Sequence, residues 1–245
     1  MAQIVMSDCK VWAGGYDVSG SLNAIALLDA PDALDNTTFG CTAKSRKKGL
    51  EVVTADLEGF WSAPSPDVHF SSLGVASGMT IAPVKTVGTP AYSFRSQNIE
   101  YTLGGMIGEL CKFSVKAESI GTKLIRGWIL ENGETARIAN GNGAAFELGA
   151  VGAAQYLYGA LHVIAAATAV GDTLDVVIES DSQADFGGTP EDQIEFTQVL
   201  GNGGVKYEWA TPIIGAIADT FWRCKWTIAG GAGKSFNFAC FMGIL

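Results

Sequence analysis

The chain has 245 residues, 48% hydrophobic and 17% charged, which excludes a disordered polymer and fits one large or two small globular domains. Its formal charge is −9 and its pI about 4.7, so it has no basic footprint for gripping phosphates. The 31 glycines favour many turns and short strands over long helices.

Residues 4–6 and 10–12 read as short strands, closed by a turn at Gly14-Gly15. Asp17-Val18-Ser19-Gly20 then turns the chain into a further strand over residues 21–27, where Leu22 and Ile25 depart from strict alternation. Residues 29–49 read as a long loop. They hold Pro31, an acidic limb (Asp29, Asp32, Asp35) and a basic limb (Lys44, Arg46, Lys47, Lys48). Loops of this length are usually functional or disordered. This one fits a solvated flap. It equally fits an inter-subunit arm with Phe39 as anchor and Lys44, Arg46, Lys47 and Lys48 meeting an acidic surface.

Residues 50–58 alternate, with Val53, Ala55 and Leu57 on one side and Thr54, Asp56 and Glu58 on the other, the mark of a half-buried strand. Ser65-Pro66-Asp67 supplies an N-cap, a proline for the first turn and an acid, predicting a helix that carries Val68, Phe70 and Leu73 and stops at Gly74. A strand over 79–84 and a turn at Pro90 follow. Then Phe94-Arg95, Tyr101-Thr102-Leu103-Gly104-Gly105 and Phe113-Ser114-Val115 read as a hairpin closed by the glycines.

The second half repeats this order at an offset of about 125 residues. Leu174, Val176 and Ile178 alternate against Asp175, Val177 and Glu179. Thr189-Pro190-Glu191-Asp192 again predicts a helix, carrying Ile194, Phe196 and Val199 and ending near Gly201. Trp222-Arg223, Trp226-Thr227-Ile228-Ala229-Gly230-Gly231 and Phe238-Ala239-Cys240 predict a second copy of the hairpin. The expectation is a duplicated chain, with domains at 1–125 and 126–245. Each is a mainly β fold, a sandwich or partial barrel with one short helix. Residues 156–166 fit a strand or a helix equally.

Catalytic patterns are weak. Gly230-Gly231-Ala232-Gly233-Lys234-Ser235 resembles the end of a phosphate loop, but the required upstream glycine is Ile228 and a strand pattern follows instead of a helix. His69 and His162 lack ligand partners at metal spacing. No Gly-x-Ser-x-Gly elbow occurs. The acids Asp29, Asp32, Asp35, Asp181 and Asp185 do not match a calcium loop. The five cysteines show no CxxC spacing and read as free thiols, Cys111 and Cys240 within apolar strand runs. Asn36-Thr37-Thr38 matches a glycosylation site, but no secretory segment opens the chain. Residues 149–171 are nearly free of charge, yet rich in Gly and Ala and without basic flanks, so they read as a buried element instead of a membrane span. No catalytic residue, metal or cofactor is expected. Two polar strand faces remain, Asp56 with Glu58 and Asp175 with Glu179, either simply solvated or lining a shared acidic surface.

Three groups of segments carry a resemblance: Asp17-Val18-Ser19-Gly20-Ser21-Leu22-Asn23; Asn36-Thr37-Thr38-Phe39-Gly40 with Gly49-Leu50 and Leu57-Glu58-Gly59-Phe60-Trp61; and Phe221-Trp222-Arg223 through Phe236-Asn237-Phe238. The chain resembles the tail tube (major tail) proteins of long, non-contractile-tailed bacteriophages. The resemblance implies a virion protein, assembled in the host cytoplasm. Its β-sheets join in stacked rings around a lumen that conducts DNA during ejection. A duplicated chain would give trimeric rings with pseudo-sixfold symmetry. Partners would be further copies of the chain and the tape measure, terminator and distal tail proteins. An acidic lumen would let DNA slide, with Asp56, Glu58, Asp175 and Glu179 as candidates to face it. A capsid decoration or tail-terminator protein, or a carbohydrate-binding sandwich using some of the six tryptophans, are the alternatives.

Overall fold

The computed structural model describes residues 6, 8–39, 42–62, 65–167, 169–203 and 206–245. Ile4, Val5, Gly40, Cys41 and the side chains of Ser65 and Pro66, all used in the expectations above, lie outside the described residues. The chain is mainly β, as expected. Its first part runs β1 (Lys10–Ala13), β2 (Tyr16–Asp17), β3 (Leu22–Asp35), β4 (Arg46–Phe60), helix α1 (Ser65–Phe70), β5 (Ala76–Ala82), β6 (Pro90–Gly104) and β7 (Lys112–Ser119). Then come β8 (Ile125–Asn132), β9 (Gly141–Asn142), β10 (Phe146–Glu147), β11 (Tyr156–Ala165) and β12 (Thr173–Asp181). The last are β13 (Glu191–Glu195), β14 (Val199–Leu200), β15 (Lys206–Trp209), β16 (Ile213–Ile214), β17 (Phe221–Ala229) and β18 (Asn237–Ile244).

Contacts divide the chain into two units. The larger is Met1–Gly20, Ser77–Ser93 and Ile125–Leu245; the smaller is Ser21–Ala76 and Phe94–Leu124. The two units are thus interleaved along the chain.

The smaller unit is an antiparallel sheet in the order β3-β4-β7-β6. Alternation sets its two faces. Val53, Ala55 and Leu57 of β4 and Phe113, Val115 and Ala117 of β7 are buried on one side. Helix α1 sends Phe70 into that side, its ring 5.5 Å from Phe113 and 6.4 Å from Tyr101. Burying that ring contributes about 2–3 kcal/mol. The helix is shorter than expected: Val68 and Leu73 are exposed, and Phe70 is its buried apolar anchor. Asp67 ties it down, accepting from Tyr101 Oη at 2.6 Å and Trp61 Nε1 at 3.0 Å.

The larger unit is a two-sheet sandwich. One sheet runs β15-β11-β18-β8, then residues 90–93 of β6, then β5-β1-β2; the other runs β10-β17-β12-β13. Leu174, Val176 and Ile178 of β12 and Trp222, Cys224, Trp226 and Ile228 of β17 face Leu157, Leu161, Val163, Phe238, Cys240 and Met242 of the first sheet in one core. The first sheet also buries its other face, where Ala160, Ala239, Phe241 and Ile129 meet Trp12, Ala82 and Ala91. Strand β11 is therefore apolar on both sides, which is why its period could not separate strand from helix. His162 sits in it fully buried, Nδ1 donating to the Gly14 carbonyl at 2.5 Å, Nε2 2.7 Å from Thr80 Oγ1, and its ring stacked near Trp12.

Four expectations are corrected. Residues 29–49 are not a loop: β3 and β4 pair out to Asp35↔Arg46, leaving a short tip. The second helix does not form. Glu191–Glu195 is strand β13, because Ile194 and Phe196 bury two residues apart and pair back onto β12 through Ile178↔Ile194 and Phe196 N to Val176 O at 3.0 Å. Sheet pairing overrides the cap signal of Thr189-Pro190. The second hairpin is also absent. Strands β6 and β7 do pair, through Leu103↔Phe113 and Gly104↔Lys112. Strand β17 instead pairs with β12, and β18 with β11 and β8. Gly230-Gly231 thus carries the chain from one sheet of the sandwich to the other. Finally, Cys111 is exposed, outside the core expected for it, because it precedes β7 on the β6–β7 connection.

Candidate functional site

The β3–β4 hairpin is longer than the sheet it belongs to. Strand β7 covers β4 only over residues 54–60, from Thr54↔Glu118 to Phe60↔Lys112. Beyond that, β3 and β4 continue as a two-stranded arm. Its limbs have opposite charge and lie face to face: Asp35 opposite Arg46, Leu34 opposite Lys47, Ala33 opposite Lys48. Pro31 is tolerated because β3 is an edge strand, and the register shifts between Pro31 and Ala33. The tip is an Asx-type turn. Asp35 Oδ1 accepts from Thr37 N at 2.9 Å and Thr37 Oγ1 at 2.6 Å, and Ser45 N donates to Thr37 Oγ1 at 2.9 Å. Those two Thr37 bonds, side chain first, hold the Asp35 carboxyl below its usual range.

Phe39 at the tip is fully exposed, and Leu28, Leu34 and Leu50 along the arm are exposed as well. Lys44, Arg46, Lys47 and Lys48 are exposed beside them, with Lys48 bonded to Glu51. The arm thus brings Phe39, Arg46, Lys47 and Lys48 onto one element. Apolar side chains left bare on a two-stranded ribbon are the kind of surface that another molecule covers.

The second surface is the solvated face of the smaller sheet. Register places Ala26, Asp56, Lys116 and Glu100 in one cross-strand row, and Ala24, Glu58, Ser114 and Thr102 in the next. Asp56 and Glu58 are exposed, as alternation predicted. They line a shallow cleft of about 390 Å³ with Glu100 and Lys116. The same face carries Glu118 and Lys112, so four carboxylates stand against two ammonium groups. It is acidic in excess but not uniformly so. Glu100 was missed because β6 shifts register between Asn98 and Glu100; Lys112, Lys116 and Glu118 alternate cleanly with Phe113, Val115 and Ala117 on β7, and only long-range pairing sets them on the same face as Asp56.

The related residues in the larger unit fare differently. Asp175 is half-buried and accepts from Gln198 Nε2 at 2.9 Å. Glu179 is 1% exposed. Its Oε1 binds Arg223 Nε, and its Oε2 accepts from Lys225 Nζ at 3.0 Å. Lys225 reaches Asp192 Oδ1 at 2.6 Å, and the Arg223 guanidinium lies 3.9 Å over the Phe186 ring. Burial works against the Lys225 charge, but Asp192 and Glu179 overcome it and raise the pKa. Glu179 is therefore the centre of an internal ion network and not part of an open acidic face. The pairing signal was present in the sequence: Arg223 and Lys225 alternate on β17, with Arg223 opposite Glu179 and Lys225 on the same face opposite Val177, diagonal to it.

The remaining chemical candidates are structural. Asp181 accepts from Gln183 N at 3.0 Å and Gly188 N at 3.2 Å, and Asp185 from Gly187 N at 3.0 Å, so both build turns. Lys234 Nζ donates to Gly230 O at 3.4 Å, and a strand follows it. Cys224 and Cys240 are buried thiols; burial, then the bond to Cys240, pushes Cys224 well up. Among the described residues no cluster of three His, Cys, Asp or Glu is placed to hold a metal. Among them, too, no helix is long and apolar enough to cross a membrane.

No protein-family model matches the sequence, and no curated protein does either. Several solved structures show a distant likeness to the chain. A chain from the virion of a native gene transfer agent particle is 14% identical, with a TM-score of 0.39 over 50% of this chain and 97% of that one. A chain from the extended sheath–tube complex of an extracellular contractile injection system is 9% identical, with a TM-score of 0.41 over 51% and 92%. The SPP1 Dit protein, from the hub adsorption apparatus of phages infecting Gram-positive hosts, is 9% identical, with a TM-score of 0.35 over 97% and 99%.

Proposed function

We propose that this chain is a structural subunit of a phage tail that polymerises into stacked rings forming a hollow tube for DNA. The observation that carries the reading is the β3–β4 arm, a strand pair that outruns its sheet and leaves Leu28, Leu34, Phe39 and Leu50 bare. A monomer gains nothing from such a ribbon, whereas an assembly buries it. Among the described residues no strand covers the outer edge of β3 either, a hazard in a free protein and a joining surface in a polymer. The segment resemblance to tail tube proteins points the same way.

In this reading the solvated face of the smaller sheet lines the lumen. Its excess of carboxylates, led by Asp56 and Glu58, repels DNA phosphates enough to prevent sticking. Asp175 is a weaker lumen candidate, and the Glu179 charge is already neutralised by Arg223 and Lys225. The natural setting is the virion, with other tail proteins at the two ends of the tube. If each chain supplies two ring-building units, three chains close a ring of six.

Electron microscopy of the purified protein tests this. Hollow tubes with a ring repeat near 40 Å, about one domain high, are expected, and class averages count the chains per ring. Protein that stays monomeric at high concentration and binds sugar tightly overturns the reading in favour of a carbohydrate-binding sandwich.

A further inference from the structure

Two open strand edges in this chain are complementary in charge. The first closes the second sheet of the larger unit. Strand β13 pairs on one side with β12, from Ser180↔Glu191 to Val177↔Glu195, and among the described residues no strand covers its other side. It carries Glu191, Asp192 and Glu195, all exposed. The other sheet ends of that unit do not compare. Strands β2 and β10 are two residues long, and β15 balances Lys206 against Glu208. The second open edge is β4 over residues 46–52, where β7 has ended and only β3 is paired. It carries Arg46, Lys47 and Lys48 against one acid, Glu51, which Lys48 and Lys123 hold, while the opposite edge of the arm, on β3, carries Asp29, Asp32 and Asp35.

We infer that the open edge of β4 in one copy pairs with the open edge of β13 in a second copy, extending the six-stranded sheet across the subunit boundary. Charge selects the partners: the acidic strand is attracted to the basic side of the arm and repelled from the β3 side. Length fits too. Seven residues of β4 span about 23 Å and five of β13 about 17 Å, so the arm covers the whole edge. Main-chain hydrogen bonds supply affinity and the charged side chains fix the register. This inference rests on the self-assembly proposed above and names the surface that performs it.

Charge exchange tests it without touching the internal ion pairs. Asp192 is held by Lys225 and Lys48 by Glu51, so the useful positions are Arg46, Lys47, Glu191 and Glu195. Three variants are compared with the native chain by sedimentation velocity and electron microscopy: R46E/K47E, E191K/E195K, and the fourfold combination. All four sites are exposed, so unchanged circular dichroism and melting are expected. Each double variant lowers the assembled fraction by about tenfold or more, and the fourfold variant returns it to within about threefold of native. Hydrogen exchange of the assembled native protein adds a second readout: amides of β4 residues 46–52 and of β13 gain protection together. Native tubes without rescue, or with both segments still exchanging freely, overturn the edge pairing and leave the tube reading standing. A native chain that never assembles overturns both.

Discussion

Two sheet faces in this molecule begin from the same pattern and end in opposite states. On β4, Asp56 and Glu58 alternate with buried aliphatics and lie open to solvent. On β12, Asp175 and Glu179 alternate with buried aliphatics in the same way, yet Glu179 is sealed. The difference lies in what crosses the strand. Opposite Asp56 stand Ala26 and Lys116, and among the described residues the row lies open. Opposite Glu179 stand Arg223 and Asp192, and the Phe186 ring closes over the guanidinium. Alternation tells which side of a strand meets the core. It does not tell whether the other side meets water.

Replacing the sealed acid breaks this contrast most sharply. Glu179→Ala leaves Arg223 without its counter-charge in a desolvated site and leaves Lys225 only Asp192. A loss of about 3 kcal/mol is expected in urea unfolding. A loss below about 1 kcal/mol would mean that the network behaves as a surface ion pair, and the distinction between the two faces would fall.

Acid separates the units by a different group. Burial pushes His69, beside the Phe70 anchor of α1, from the ordinary 6.5 down to about 4. The unfolded chain therefore takes up this proton more readily than the folded one. The neutral imidazole's stability is complete above about pH 6.5 and declines as pH falls towards 4. Allowing for partial solvation, the decline is worth about 2 kcal/mol. Comparing urea midpoints at pH 7 and pH 4.5 measures it, and His69→Gln should flatten the slope. An unchanged slope would place the acid sensitivity elsewhere.

Much of this was legible in the residues, and the failures share a cause. Strands β4 and β12 could be read because each has one buried face, so their periods are clean. The arm was read as a loop because Pro31 and three aspartates break the strand pattern, which an edge strand tolerates. Strand β13 was read as a helix because Thr189-Pro190-Glu191 is a good local start signal. The winning term, pairing of Ile194 and Phe196 onto β12, is non-local. The β17–β18 connection looked like a hairpin because aromatic alternation and a glycine pair describe two strands and a turn, not which sheets the strands join. The surface chemistry was half visible: Asp56 and Glu58 stand where alternation put them, while Lys112 and Lys116 enter the same face from a strand sixty residues away in the chain.

The smallest effect on stability is expected on the open face, and there the comparison becomes functional. Asp56→Lys with Glu58→Lys changes two exposed side chains that make no internal ion pair, so unfolding should shift by no more than about 0.5 kcal/mol. The face itself changes sign. Four carboxylates and two ammonium groups become two carboxylates and four ammonium groups. If this face lines a channel for DNA, such a surface grips phosphates, and every ring along the tube adds the same attraction. Tubes should still form, and DNA passage through them should slow, most strongly at low salt, where phosphate contacts are least screened. Ejection at the native rate in low salt would remove Asp56 and Glu58 from the channel wall. A defect that salt relieves, with tubes intact, is the outcome that a merely solvated sheet face would not produce.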